Sequence, residues 1–198
     1  MIVKRFEMGP ICTNTYMLID GNDVILIDPA SKPEKCIELL ANYNLLAILL
    51  THGHFDHIKA VDGLYEKYKC PVYMNELDET MARDKESGAD FGLVSYISCP
   101  IVNIKEGRKE IGPFSFNTIY TPGHTPGSVI YVFDDCVFTG DTLFAGSIGR
   151  TDLAGGDFRQ LKNSLNVFKE LDENLIVYPG HEMQSTIFNE INNNPFLR

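Results

Sequence analysis

The chain has 198 residues, 44% hydrophobic, 11% aromatic and 22% charged, a balance that excludes disorder, collagen and coiled coil and suits one globular domain over residues 1–198. Seventeen Lys and Arg against 27 Asp and Glu leave a formal charge of −10, which repels a phosphate backbone, so nucleic acid is not an expected partner. The longest aliphatic run, Leu45 to Leu50, falls far short of the roughly 20 apolar residues that span a bilayer, and no membrane partner is expected either.

In chain order, Ile2–Met8, Tyr16–Asp20 and Val24–Asp28 read as strands, the last two joined by a Gly21-Asn22-Asp23 hairpin turn. Ser31 and Glu34 form a capping-box pattern with Pro33 in the first turn, and Cys36, Leu39, Leu40 and Tyr43 share a helical face. A buried strand, Leu45–Leu50, follows. Ile58, Val61, Leu64, Tyr65 and Tyr68 mark a second amphipathic helix, weakened by Gly63. Pro71–Met74 reads as a short strand, Asn75 as the cap of a helix starting at Glu76, and residues 84–100 as a loop or lid. Further strands are predicted at Phe114–Tyr120, Val129–Phe133, Cys136–Thr139 and Leu175–Tyr178. A late helix runs through Phe158, Leu161, Leu165 and Phe168, and a last element lies around Thr186–Asn192. Two sheet-plus-helix halves of a layered α/β or α+β domain accommodate this order.

The opening MIVKRFEMGP has no apolar signal core, which points to the cytoplasm. Cys12, Cys36, Cys70, Cys99 and Cys136 are far apart and form no C-x-x-C pair, so they read as reduced structural thiols.

All five histidines fall in three short segments: His52, His54 and His57 in THGHFDH, His124 in TPGH and His181 in YPGH. Each segment follows an apolar strand, and a fourth strand ends at Gly140-Asp141. Imidazole nitrogen and carboxylate oxygen together suit Zn²⁺, Fe or Mn, and three imidazoles with a carboxylate in six residues repel or desolvate one another unless a cation organises them. His52, His54, Asp56, His57, His124, Asp141 and His181 are more ligands than one tetrahedral ion uses. Two divalent ions sharing a carboxylate is the economical solution, with zinc expected first and iron or manganese as alternatives.

The run THGHFDH, then TPGHT, GDTLF and a final PGH, resembles the metallo-β-lactamase superfamily over most of the chain. The resemblance implies a four-layer αββα sandwich. It implies that His52, His54 and His124 hold one metal, Asp56, His57 and His181 the other, and that Asp141 bridges them. GDTLFAGSIGRTD and the C-terminal NPFL resemble the short glyoxalase II-like hydrolases, which cleave hydroxyacyl thioesters of glutathione. The C-terminal helical domain that supplies much of the glutathione site in longer members is not expected here.

A small-molecule thioester is therefore the expected substrate, attacked by a hydroxide shared between the two ions, with Asp56 as the catalytic residue that orients it and takes its proton. Arg150 and Thr151, on the loop after Asp141, are candidate contacts to a substrate carboxylate. Persulfide oxidation on a single iron is the main alternative, since relatives use one iron at positions matching His52, His124 and Asp141. Phosphodiester cleavage conflicts with the negative charge, and β-lactamases of the exported kind carry Cys at the Asp141 position. A metal-binding module without catalysis would keep the ligands and lack an open pocket.

Overall fold

The computed structural model describes all of residues 1–198. Strand β1 (Ile2–Met8) pairs antiparallel with β2 (Thr13–Asp20), which turns through Gly21 into β3 (Asp23–Ile27). Helix α1 (Pro33–Leu39) then crosses to β4 (Asn44–Leu49), parallel to β3, and α2 (Val61–Tyr68) crosses to β5 (Val72–Met74), parallel to β4. After the short helix α3 (Glu79–Ala82), β6 (Val102–Asn103) completes a six-stranded sheet in chain order. Strands β7 (Gly107–Ile111), β8 (Phe114–Tyr120), β9 (Val129–Val132) and β10 (Cys136–Gly140) build the second sheet. The two-residue strands β11 (Leu143–Phe144) and β12 (Ser147–Ile148) form a separate ribbon ahead of helix α4 (Phe158–Ser164). Strand β13 (Ile176–Pro179) lies parallel to β10, and β14 (Ser185–Thr186) and α5 (Ile187–Asn193) end the chain. The second sheet has the order β14-β13-β10-β9-β8-β7.

Strand alternation builds the layers. Tyr16, Leu18, Ile25, Ile27, Ala47 and Leu49 point into a core shared with Phe116, Tyr131 and Phe138 of the second sheet. Their neighbours Met17, Val24, Leu26 and Ile48 point the other way, against Cys36, Val61 and Leu64 of α1 and α2. On the far side Ile130, Val137 and Val177 pack under Leu165, Phe168 and Ile187. Period-2 strands buried on both faces thus give the order helix, sheet, sheet, helix, which is the αββα sandwich that the resemblance implied.

Several local expectations change. Helix α1 is capped by Lys32 without a side-chain hydrogen bond, and Ser31 is buried before it. Pro33 sets the start because its fixed φ suits the first helical position. Asn75 does cap, accepting from Leu77 N–H at 3.0 Å, but over a 3₁₀ turn, Glu76–Asp78, that leads into α3. The helix expected from Ile58 begins at Val61, and the late helix passes into 3₁₀ geometry at Leu165. Residues 84–100 are mostly irregular, with Phe91 stacked on Phe55 at 5.5 Å.

Candidate metal centre

The ligand-bearing segments sit where strands end. Thr51–His57 follows β4, His124 follows β8, Asp141 follows β10 and His181 follows β13. The sheets face each other, so all four ends open on one edge. Gly140 (φ 49°) turns β10 so that Asp141 enters the cluster, and a Cβ at Gly180 would collide with Asp141 Oδ1. Chain and cluster therefore fit only without side chains at those two turns.

Seven expected ligands converge. His52, His54 and His124 offer nitrogens within 4.8 Å of one another, and so do the donor atoms of Asp56, His57 and His181. Asp141 lies between the groups. Its Oδ1 is 3.4 Å from His57 Nε2, and its Oδ2 is 3.4 Å from His124 Nε2 and 3.6 Å from His181 Nε2.

Hydrogen bonds around the rim decide which nitrogens face inward. Thr51 Oγ1 donates its proton to Asp28 Oδ2 at 2.7 Å, so it can only accept from His52 Nδ1 at 3.0 Å. His52 Nε2 is left with a lone pair. His124 Nδ1 donates to the Arg150 carbonyl at 2.7 Å, and His57 Nδ1 to Asp28 Oδ2 at 2.8 Å. Carbonyl and carboxylate partners on the outer nitrogen are what orient a ligating imidazole.

Three inward atoms, His52 Nε2, His57 Nε2 and Asp141 Oδ1, are buried with no hydrogen-bond partner. His57 Nε2 lies 3.2 Å from Asp56 Oδ2 but is not aligned for a hydrogen bond. Buried polar atoms without partners cost about 1–3 kcal/mol each. Their convergence fits cations as the missing partners, and the His/Asp donor set fits zinc, iron or manganese.

Electrostatics divides the cluster. Burial, then the neighbouring His57, pushes the His52 pKa well down; burial and His124 bring His54 to about 4. Burial works against a charge on His57 as well, yet Asp56, Asp141 and Asp28 outweigh it and raise its pKa. His181 rises too, its burial overcome by the hydrogen-bonding Asp56 and by Asp141. Burial resists ionisation of Asp56 and Asp141, but His57 dominates and lowers both. Without metal, His52 and His54 are held neutral while Asp56, Asp141 and His57 form an ion cluster.

Three supporting residues escaped the sequence reading. Asp28 (φ 49°) takes protons from Thr51 N–H, Thr51 Oγ1 and His57 Nδ1. Thr13 Oγ1 donates to Asp56 Oδ2 at 2.7 Å. The fully buried Asp78 accepts from Gly53 N–H at 2.9 Å, Gly127 N–H at 2.6 Å and Thr125 Oγ1 at 2.7 Å, tying the His54 loop to the His124 loop. Only Asp28, closing an apolar strand before Pro29, carried a usable signal. The Arg150 guanidinium is exposed and paired with Asp152 at 2.6 and 2.7 Å, so its carbonyl rather than its side chain touches the cluster. Thr151 is half-buried beside it.

An αββα sandwich with seven clustered His and Asp side chains at the shared sheet edge defines a class of α/β protein with a candidate divalent-metal site. The family model described as Metallo-beta-lactamase superfamily matches residues 8–181, and the chain belongs to that superfamily. It is 38% identical to Probable metallo-hydrolase YqgX of Bacillus subtilis (strain 168), over 98% of this chain and 96% of that one. Hydroxyacylglutathione hydrolase GloC of Haemophilus influenzae is 32% identical over 90% and 89%. Among solved structures, BLEG-1, described as a B3 metallo-beta-lactamase, superposes with TM-score 0.92 at 36% identity, covering 99% of both chains. TTHA1623 in a di-iron-bound form gives 0.91 at 37%, covering 98% of this chain and all of that one.

Proposed function

We propose that the protein is a dinuclear metal-dependent hydrolase of hydroxyacyl-glutathione or related thioesters. The observation that carries the metal is the set of buried, partnerless atoms His52 Nε2, His57 Nε2 and Asp141 Oδ1. His52, His54 and His124 would hold one cation, Asp56, His57 and His181 the other, with Asp141 between. Two such cations, when bound, bring the pKa of a shared water to near 7 and polarise an acyl carbonyl.

The chain's own groups supply the rest. Asp56 Oδ2 is taken up by Thr13 and lies within 3.2–3.3 Å of His57 and His181, which leaves Oδ1 to accept a proton from the attacking water. Every histidine is committed to the cluster, so none remains to protonate a leaving group. A thiolate, whose conjugate acid has a pKa of about 8.5, leaves without that help; an amine does not. This chemistry and the likeness to GloC support thioesters. Arg150 and Thr151 are proposed substrate contacts on the rim. The soluble cytoplasm remains the proposed setting.

The test is metal quantification on natively purified protein, joined to turnover of S-lactoylglutathione, glutathione persulfide, a phosphodiester and a β-lactam, with and without chelator. Chelator-sensitive thioester hydrolysis at two metals per chain is expected. Oxygen consumption with persulfide at one iron per chain selects the dioxygenase reading, and β-lactam hydrolysis alone would shift the substrate towards that of BLEG-1. Tightly held metal with no turnover of any of the four would leave a binding module.

A further inference from the structure

A second feature lies beside the metal cluster. Lys32, Lys35 and Lys59 line a surface cavity of about 390 Å³ together with Gly9, Pro10 and Ser31. No acidic residue lines it, and none of the three ammonium groups forms an ion pair or hydrogen bond with the protein. In a chain of charge −10, three unpartnered cations around one cavity make a local positive field against a negative background. Lysine serves such a site as a strongly hydrated point charge suited to carboxylate or phosphate.

The cavity shares part of its wall with a cleft that reaches Asp56. Gly9, Pro10 and Lys59 also line a narrow cleft whose other walls include Thr13, Phe55 and Asp56. Lys59 stands three residues after Asp56 and is half-buried between the two spaces. An elongated ligand whose acyl carbon lies at Asp56 would lie over the surface past Lys59 and Gly9-Pro10, its far end reaching Lys32 and Lys35.

We propose that Lys32, Lys35 and Lys59 form an oxyanion subsite that binds the charged far end of the thiol carrier of the substrate. The proposal rests on the thioester reading above. The shared ligand chemistry is an oxyanion several bonds from the sulfur, either the carboxylate of a peptide thiol or the phosphate of a phosphopantetheine thiol.

Binding of non-hydrolysable thioethers to the zinc-loaded protein tests this without turnover. One calorimetric pair is S-methylglutathione and its glycyl amide; the other is S-methyl-4′-phosphopantetheine and S-methylpantetheine. In the wild type the anionic member of one pair is expected to bind about tenfold more tightly than the twin that lacks that anion, with a preference that shrinks as salt rises. The pair that shows the preference identifies the source of the anion. In Lys32→Gln/Lys35→Gln, and separately in Lys59→Gln, the preference should fall below about twofold. Equal affinity of the twins in the wild type, a preference that survives both variants, or no binding by any of the four would overturn the subsite. Charge-dependent binding without thioester turnover would reject the hydrolase reading and leave the subsite standing; turnover without charge preference would do the reverse.

Discussion

His57 Nδ1 donates to Asp28 Oδ2 at 2.8 Å, with both side chains out of solvent. The same oxygen takes the Thr51 hydroxyl proton, and Thr51 in turn fixes His52. Asp28 thus orients one imidazole from each half of the centre. Asp28→Asn keeps the shape but, whichever way the amide turns, sets its NH₂ against a donor on one side or the other. Outer partners of this kind are worth about 10–100-fold in metal affinity, and a loss of that size is expected in competition with a chromogenic chelator. Wild-type affinity in the variant would remove Asp28 from the account.

Asp78 makes a different prediction, because it touches no ligand side chain. Its carboxylate accepts from two main-chain N–H groups and one hydroxyl, so Asp78→Ala strands two buried N–H donors at about 1–3 kcal/mol each and leaves the Thr125 hydroxyl only Ser128 as a partner. A destabilisation of about 3 kcal/mol or more is expected from urea unfolding of the zinc-loaded protein. Asp78→Asn, which keeps one acceptor oxygen, should lose less. Equal stability of wild type and Asp78→Ala would show that the two loops hold their places unaided.

The contrast between Asp28 or Asp78 and the seven expected ligands shows what a sequence reveals. The ligands cluster at glycine-bearing strand ends in dense, repetitive motifs, and the buried strands announce themselves as apolar runs such as LLAILL. Strand β7, GRKEI, does not: it is an edge, and edges carry charge that hides the alternation. The two-residue strands β11 and β12 are too short for any periodicity. Asp78 sits in an ordinary capped turn, and only the long-range contact from residue 78 to residue 127 gives it meaning. The Arg150 contact, made through a carbonyl, is invisible to side-chain reasoning altogether.

Gly180 tests Asp141 by steric means. A Cβ there would strike Asp141 Oδ1 and lie 2.8 Å from His57 Cε1. Gly180→Ala is therefore expected to lower bound metal and turnover together, as Asp141→Ala should. Both are read by metal analysis of protein whose circular dichroism remains native. Two metals per chain with full activity in Asp141→Ala would refute its place between the ions.

The unequal electrostatics of the two halves predicts how metal uptake depends on pH. In the metal-free chain, burial and their neighbours keep His52 and His54 unprotonated, His54 with a pKa of about 4, so those rings have no proton to lose at neutral pH. His57 and His181 have raised pKa values, because the aspartates outweigh the opposing effect of burial. A ligating imidazole must give up its proton on the metal side, so filling the Asp56, His57 and His181 site at pH 7 should release protons. Calorimetric titration in buffers of different ionisation enthalpy measures this release, which is expected to decline as pH rises. The same rings contribute to the pH dependence of the metal-free fold. A folded pKa above the unfolded value of about 6.5 stabilises below that pH, and the benefit is lost as pH climbs through the folded value. The lowered aspartates stabilise above about 3.8 and so do not change over this window. His52 and His54 act in the opposite sense, because the unfolded rings bind protons below about 6.5 that the folded ones refuse, so the melting temperature of the chelated protein between pH 6 and pH 9 is a balance of the two pairs. No proton release at pH 7 would show that His57 and His181 are neutral before metal arrives.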